Sequence, residues 1–176
     1  SMFSATARGY KSTREHSLFS SNIPVSVYDG LIDTVHANLD KLQRYLNLRS
    51  RVLGISDLRW YDLYLPLVPN LEMKVTYPEA QKTILEALAP LGNDYVRALE
   101  GGFGSRWVDV VENQGKRGGA SSWGTYGTPP YILMNWQNSV DSMFTLAHEA
   151  GHSMHRYLHS RTQPYHYSGH TIFTAE

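Results

Sequence analysis

Hydrophobic residues follow a helical period over the stretch from Pro24 to Gly54. Apolar side chains recur there at intervals of three and four residues, namely Tyr28, Leu31, Ile32, Val35, Leu39, Leu42 and Leu46. This spacing predicts one amphipathic helix of about 25 residues. Ser26 and Asp29 have the spacing of a capping box near its start, and Gly54 suits its end.

A second helix is predicted after residue 76. Thr76 and Glu79 have capping-box spacing ahead of a segment whose buried face is supplied by Ile84, Leu85 and Leu88. Pro90 and Gly92 are expected to end this helix. The preceding segment, residues 56–75, is aromatic and interrupted by prolines, so it is predicted to be irregular with at most a short strand.

A third helix is expected from Asp94 to about Val108, although three glycines weaken its helical propensity. Residues 113–130 hold five glycines and two prolines, which predicts a loop or hairpin. The run YILMN that follows is typical of a short strand. The helical period then returns over SVDSMFTLAHEAGHSMHRYLHS, with apolar or small residues at Val140, Met143, Phe144, Ala147, Gly151, Met154 and Leu158. These patterns predict a mainly α fold with a small β element before the last long helix.

Composition narrows the classes of function. A chain of 176 residues with 41% hydrophobic and 18% charged residues is sufficient for one globular domain. The 16 basic residues balance the 16 acidic ones, so no charge excess predicts binding to nucleic acid or to a membrane surface. The absence of cysteine excludes disulfides and thiolate metal sites. No leader-like apolar segment is present near residue 1, and a cytoplasmic protein is expected.

Six of the eight histidines lie after residue 147, in three pairs with a spacing of four: His148 and His152, His155 and His159, His166 and His170. Residues four apart share one face of a helix, so each pair could hold one metal ion. The residue that follows the first histidine of each pair distinguishes the three pairs. Glu149 in HEAGH supplies a carboxylate that can take a proton from a water at the metal. His148 and His152 are therefore predicted to be ligands, with Glu149 as general base.

The other two pairs are predicted to have other roles. His155 is followed by Arg156, which sets a positive charge near any bound dication, so a polar face or packing around the first site is expected for His155 and His159. The segment HYSGH follows a proline and contains Gly169, which favours a loop over a helix. A loop role is expected for His166 and His170, with contact to substrate as the alternative.

A catalytic zinc site usually has three protein ligands. The pattern HExxHxxGxxH fails here, because His155 and Leu158 stand where its glycine and last histidine would be. A carboxylate is the remaining option, and Glu176 is the only acidic residue after His152. Because Glu176 is also the last residue, either it is not a ligand or more protein normally follows.

Several segments together resemble the oligoendopeptidase F group of the thimet-oligopeptidase family of zinc metallopeptidases. They are VYDGLIDTVHANL, DLRWYDLYLPL, GKRGGASSWGTYGTPPYILMNWQ, FTLAHEAGHSMHRYL and QPYHYSGHTIFTAE. They follow the order of that family and span most of residues 15–176. The match is far more specific than the HExxH motif alone.

The resemblance implies a zincin-like catalytic-domain fragment of packed helices, incomplete at both ends, with residues 1–14 as a flexible lead-in. It implies one Zn²⁺ per chain, held by His148, His152 and Glu176, and hydrolysis of short peptides with Glu149 activating the water. It also puts forward Gly118, Gly119 and Ala120, in GKRGGA, as residues that contact the substrate backbone.

The chain departs from the family pattern in ways that leave alternatives open. Gly118 stands where the family often has serine, Ser121 stands where it often has an aromatic residue, and the family's oxyanion-stabilising segment lies beyond Glu176. One alternative is a catalytically inert helical fragment with an incomplete metal site. Another is a helical interaction module in which the HExxH match is accidental. The sequence does not indicate an oligomeric state.

Overall fold

The computed structural model describes residues 1–68, 71, 73–171 and 174–175. The chain forms two compact units, residues 1–71 and residues 72–176. In the described residues, no helix is both long enough and apolar enough to cross a membrane.

The first unit is helical. Its helices are α1 (Met2–Ala7), α2 (Thr13–Phe19), α3 (Val25–Ala37) and α4 (Leu39–Leu53), followed by a 3₁₀ turn at Trp60–Tyr64. Buried Arg49 in α4 donates hydrogen bonds to the carbonyls of Asp62, at 2.9 Å, and Leu65, at 2.7 Å. These bonds satisfy carbonyls at the end of the 3₁₀ turn and fix the aromatic segment, predicted to be irregular, against α4.

The prediction of a single helix from Pro24 to Gly54 is wrong, because the helix breaks at Asn38. The backbone of Asn38 leaves the helical region, with φ −117° and ψ 10°. Its side-chain amide donates to the Thr34 carbonyl at 2.7 Å, which offers that carbonyl a partner other than a helical N–H. Pro24 is the N-cap residue and makes no side-chain cap, so the box expected at Ser26 does not form. Gly54 lies at the end of α4, as predicted, and adopts the left-handed conformation there.

The second unit combines three helices with a small sheet. Its elements are α5 (Tyr77–Ala87), a 3₁₀ turn (Ala89–Leu91), α6 (Asn93–Phe103), β1 (Val108–Asp109), β2 (Ser121–Trp123), β3 (Tyr131–Leu133), α7 (Val140–Thr162) and a 3₁₀ turn (Tyr165–Tyr167). The capping box predicted between Thr76 and Glu79 is present at the start of α5. The mainly α class with a small β element ahead of the histidine helix is confirmed.

The sheet has the order β1-β3-β2. Strand β1 is parallel to β3, with Val108 opposite Ile132, and β2 is antiparallel to β3, with Ser122 opposite Ile132. Residues 113–130 thus contain β2 and the turn of a hairpin, and its other strand, β3, is the short strand predicted at YILMN. Lys74 adds an isolated bridge to Ser139 in the part of the chain predicted to be irregular.

Helix α6 ends earlier than predicted, because Val108 and Asp109 form strand β1. Phe103 is its last residue, and Val108 lies in β1 rather than in the helix. The turn after α6 brings the Trp107 ring directly onto Gly102. A Cβ at Gly102 would lie 2.3 Å from the ring, so this close approach requires glycine.

The hydrophobic core of this unit lies between the three helices and the sheet. Its buried members are Ala80, Ile84, Leu99, Trp107, Ile132, Met134, Leu146, Ala150 and Met154. Three of these, Leu146, Ala150 and Met154, lie on one face of α7 at a spacing of four. Polar residues of α7, including the histidines, therefore lie on its opposite side.

Candidate metal centre

Helix α7 carries all three residues of the HEAGH motif that were predicted to perform chemistry. It runs for 23 residues from Val140 to Thr162 and is capped by Ser139, whose hydroxyl accepts a hydrogen bond from the Ser142 N–H at 3.1 Å. His148, Glu149 and His152 therefore lie within little more than one turn of a well-anchored helix.

The imidazoles of His148 and His152 converge. Their Nε2 atoms are 3.0 Å apart, and the ring planes are nearly perpendicular. Zinc–imidazole bonds of about 2.0–2.1 Å in a tetrahedral site place two ligand nitrogens about 3.3 Å apart. The observed separation is close to this requirement, so the two side chains fit a shared zinc ion with small ring movements.

Glu149 is buried, with 8% of its surface exposed. Carboxylates are rarely buried to this extent unless they are paired or take part in a site. Its place in the sequence, directly after His148, keeps the carboxylate in the same turn as the imidazoles. Its role as the general base stays a prediction.

Glu176, the predicted third ligand, lies outside the described residues. Its role stays a prediction. The two histidines alone supply two of the three protein ligands that a catalytic zinc usually has.

A groove lies beside the start of α7 and includes the three residues predicted to contact substrate. It is lined by Gly118, Gly119, Ala120, Met134, Asn135, Asp141 and Thr145, among others. The Asn135 side-chain amide donates to the carbonyls of Arg117, at 2.8 Å, and Gly119, at 2.9 Å, and so holds this turn. Thr145 precedes His148 by one helical turn, which places the groove next to the HEAGH motif along α7.

Two contacts that the sequence did not reveal hold α7 against the hairpin. The Ser153 hydroxyl is fully buried and lies 2.8 Å from the Ser122 hydroxyl in β2. Arg156 donates to the Gly124 carbonyl at 3.2 Å, and a Cβ added to Gly124 would lie 3.0 Å from the Arg156 Cδ. A serine or an arginine on a long helix carries no local signal for either contact.

The remaining histidines do not group as their spacing indicated. His155, His159 and His170 lie together, with one ligand nitrogen from each within 4.8 Å of the others. His166, by contrast, lies in the 3₁₀ turn, so the segment HYSGH is not α-helical, as predicted. The spacing of His155 and His159 was visible in the sequence, but the approach of His170 depends on the chain reversal after α7.

Burial lowers the pKa of His170 below its ordinary value, and positive charge at His155, Arg156, His159 and His152 lowers it further. Both causes favour the neutral imidazole.

The sequence of the chain is similar to those of known peptidases. The model of peptidase family M3 matches residues 2–176. Oligopeptidase PepF of Bacillus subtilis is 52% identical over 99% of the chain, and the chromosomal oligoendopeptidase F of Lactococcus lactis subsp. cremoris is 45% identical over 99%. The chain spans 26% and 29% of the lengths of these two proteins.

A solved structure from Chlamydophila abortus superimposes on 99% of the chain with a TM-score of 0.83. The two sequences are 39% identical, and the match covers 29% of that chain. The helices and the small sheet thus recur together in a protein of known structure.

Proposed function

The chain belongs to peptidase family M3, and we propose that it carries the metal site of a zinc-dependent endopeptidase that hydrolyses short peptides. The observation that carries this proposal is the 3.0 Å approach of the His148 and His152 Nε2 atoms, with Glu149 in the same helical turn. The names of the relatives support peptide hydrolysis, because both are called oligopeptidases or oligoendopeptidases.

His148 and His152 would hold the zinc, and Glu176 is proposed as the third protein ligand. Nitrogen and oxygen donors without thiolate suit zinc in a hydrolytic site. When bound, zinc supplies Lewis-acid chemistry that lowers the pKa of a water and polarises a peptide carbonyl. One ion per chain is expected at this site.

The Glu149 carboxylate performs the proton transfers. It accepts a proton from the attacking water as the water oxygen bonds to the carbonyl carbon of the peptide. The carbon–nitrogen bond then breaks, and Glu149 gives the same proton to the departing amine nitrogen. The burial of Glu149 supports this role, because carboxylates are rarely buried to this extent unless they are paired or take part in a site.

The substrate is proposed to lie along the groove that contains Gly118, Gly119 and Ala120. Within the described residues, β2 pairs with β3 on one side and has no strand on its other side. An extended peptide can add to such an edge through main-chain hydrogen bonds. The two glycines present no side chain to a peptide backbone, which favours close approach. A cytoplasmic location remains the expectation from the sequence.

The test is zinc content and peptide hydrolysis for Glu149→Gln, with Glu100→Gln as the matched control. Glu100 is an exposed residue on α6. We expect Glu149→Gln to keep its zinc and to lose about 10²–10⁴-fold in kcat, whereas the control keeps both. Hydrolysis by Glu149→Gln at the parental rate would contradict the role of Glu149. Zinc binding without hydrolysis by the parent chain would instead favour the inert-fragment alternative.

A further inference from the structure

The three histidines beyond the HEAGH motif form a compact group of potential ligands. His155 and His159 lie one turn apart near the end of α7, and their rings are stacked with an interplanar angle of 8°. His170 comes from the segment after the 3₁₀ turn, and its ring centroid is 4.4 Å from that of His155. Two separate parts of the chain thus bring three imidazoles to one place.

The three imidazoles are ligands suited to metal ions of intermediate softness. Imidazole nitrogen suits Zn²⁺, Ni²⁺ and Cu²⁺, whereas Mg²⁺ and Ca²⁺ require oxygen ligands. One nitrogen from each of the three rings lies within 4.8 Å of the other two. Ligand nitrogens around one tetrahedral ion are about 3.3 Å apart. Side-chain rotations that move the ring nitrogens by about 1–2 Å would therefore bring the three nitrogens onto one ion.

The positive charge of Arg156 was the reason to expect no ligation at His155 and His159, and the structure shows which partner holds that arginine. Arg156 follows His155 in the sequence, but its guanidinium donates to the Gly124 carbonyl at 3.2 Å. The arginine side chain also packs against Gly124. Arg156 is thus held by the turn after β2, and because its partner is a neutral carbonyl, its positive charge still acts on the histidine group.

We propose that His155, His159 and His170 form a second metal site, which takes one Zn²⁺, Ni²⁺ or Cu²⁺ through three imidazole nitrogens. This site shares no ligand with His148 and His152, and it does not depend on the peptidase proposal. An ion bound there would link the segment around residue 170 to the last turns of α7. It would thereby restrain the part of the chain that leads from the helix toward Glu176.

The experiment is a Zn²⁺ titration of the 176-residue chain by isothermal calorimetry, with the metal alone as probe. The parent chain should bind two ions. His159→Ala and His170→Ala should each bind one at the same concentrations, because loss of one of three ligands weakens the second site by about tenfold or more. His166→Ala is the matched control, since it removes a histidine from the same segment but not from the group, and it should bind two.

The double variant His148→Ala/His152→Ala separates the two sites. It should bind one ion, which the further change His170→Ala should abolish. One result would overturn the second site: a His170→Ala chain that binds as many ions as the parent. Failure of the peptidase proposal has a different signature, namely that His148→Ala/His152→Ala leaves the ion count unchanged.

A spectroscopic measurement guards against variants that fail to fold. Cu²⁺ added to His148→Ala/His152→Ala should give an electron paramagnetic resonance spectrum with nitrogen couplings from about three equivalent donors. His170 lies outside α7, so His170→Ala should preserve the helical circular dichroism and reduce the number of coupled nitrogens. A spectrum that does not change in His170→Ala would contradict the assignment.

Discussion

The Ser153 hydroxyl in α7 lies 2.8 Å from the Ser122 hydroxyl in β2. Ser153 is fully buried on the side of the helix that packs against the sheet. This hydrogen bond joins a side chain of the hairpin to a side chain of the histidine helix, in largely apolar surroundings. Together with the bond from Arg156 to the Gly124 carbonyl, it joins α7 to the hairpin within one turn of His152.

Ser153→Ala should therefore destabilise the protein. It removes one partner of the bond and leaves the Ser122 hydroxyl without it, so we expect a loss of about 1–2 kcal/mol in the free energy of unfolding. Urea denaturation followed by circular dichroism measures this loss. The double variant Ser122→Ala/Ser153→Ala removes both hydroxyls and should lose less than the sum of the single changes. Strict additivity of the two single losses would contradict a direct bond.

Two adjacent glycines of α6 should respond in opposite ways to alanine. Gly102→Ala places a Cβ 2.3 Å from the Trp107 ring, which belongs to the core, so we expect a loss of about 1–3 kcal/mol. Gly101 has no atom within 4 Å of an added Cβ. Gly101→Ala should leave stability unchanged or raise it by up to about 1 kcal/mol through helix propensity. Thermal unfolding of both variants checks the contrast, and equal effects would show that the ring contact is absent.

Asn135 should control the order of the turn at residues 117–119. Asn135→Leu removes the donors to the Arg117 and Gly119 carbonyls, so amide hydrogens of the turn should exchange about tenfold faster. Asn113→Ala is the control, because its side chain accepts from the neighbouring Gln114 N–H and does not reach this turn. If the turn contacts substrate, Asn135→Leu should raise KM more than it lowers kcat. Unchanged exchange in Asn135→Leu would disprove the positioning role.

The capping box of α5 should make the free energy of unfolding depend on pH in the acidic range. Hydrogen bonds from the Thr76 hydroxyl and backbone N–H lower the pKa of Glu79 below its ordinary value of 4.5. A carboxyl with a lowered pKa stabilises the folded state above its unfolded pKa, and this stabilisation is lost as the pH falls through the folded pKa. Glu79→Gln should thus lower Tm near neutral pH, and the difference from the parent should shrink as the pH falls below 4.5 and through the lowered pKa of Glu79. A constant difference at all pH values would contradict this account.

The sequence predicted those elements whose signals are local. The cap at Thr76, the left-handed Gly54 and the period of α7 each depend on residues close together in the chain, and all three are present. The break at Asn38 was missed because only one residue leaves the helical conformation. The leucine spacing continues almost unchanged on both sides of it, so the hydrophobic pattern does not reveal the break.

The features of the fold and of the candidate site that were not predicted depend on contacts between residues distant in the sequence. Val108 was assigned to a helix from its neighbours, but its pairing with Ile132 makes it a strand. In the candidate site, the ligand spacing of His148 and His152 was predictable because it lies within one helix. The approach of His170 to His155 and the hold of Asn135 on the glycine turn involve separate segments, and no local pattern encodes them.

The parallel pairing of β1 with β3 also has a kinetic consequence. The hairpin of β2 and β3 closes over residues 124–130, whereas β1 reaches β3 only after the chain closes a loop over residues 110–130. Loop closure costs more entropy as the loop lengthens, and contacts between distant residues form slowly. The hairpin should therefore form first, and β1 should join an edge that already exists. Pulse-labelled hydrogen exchange during refolding would then protect the Trp123 and Tyr131 region before the amide of Ile132 gains its bond to the Trp107 carbonyl.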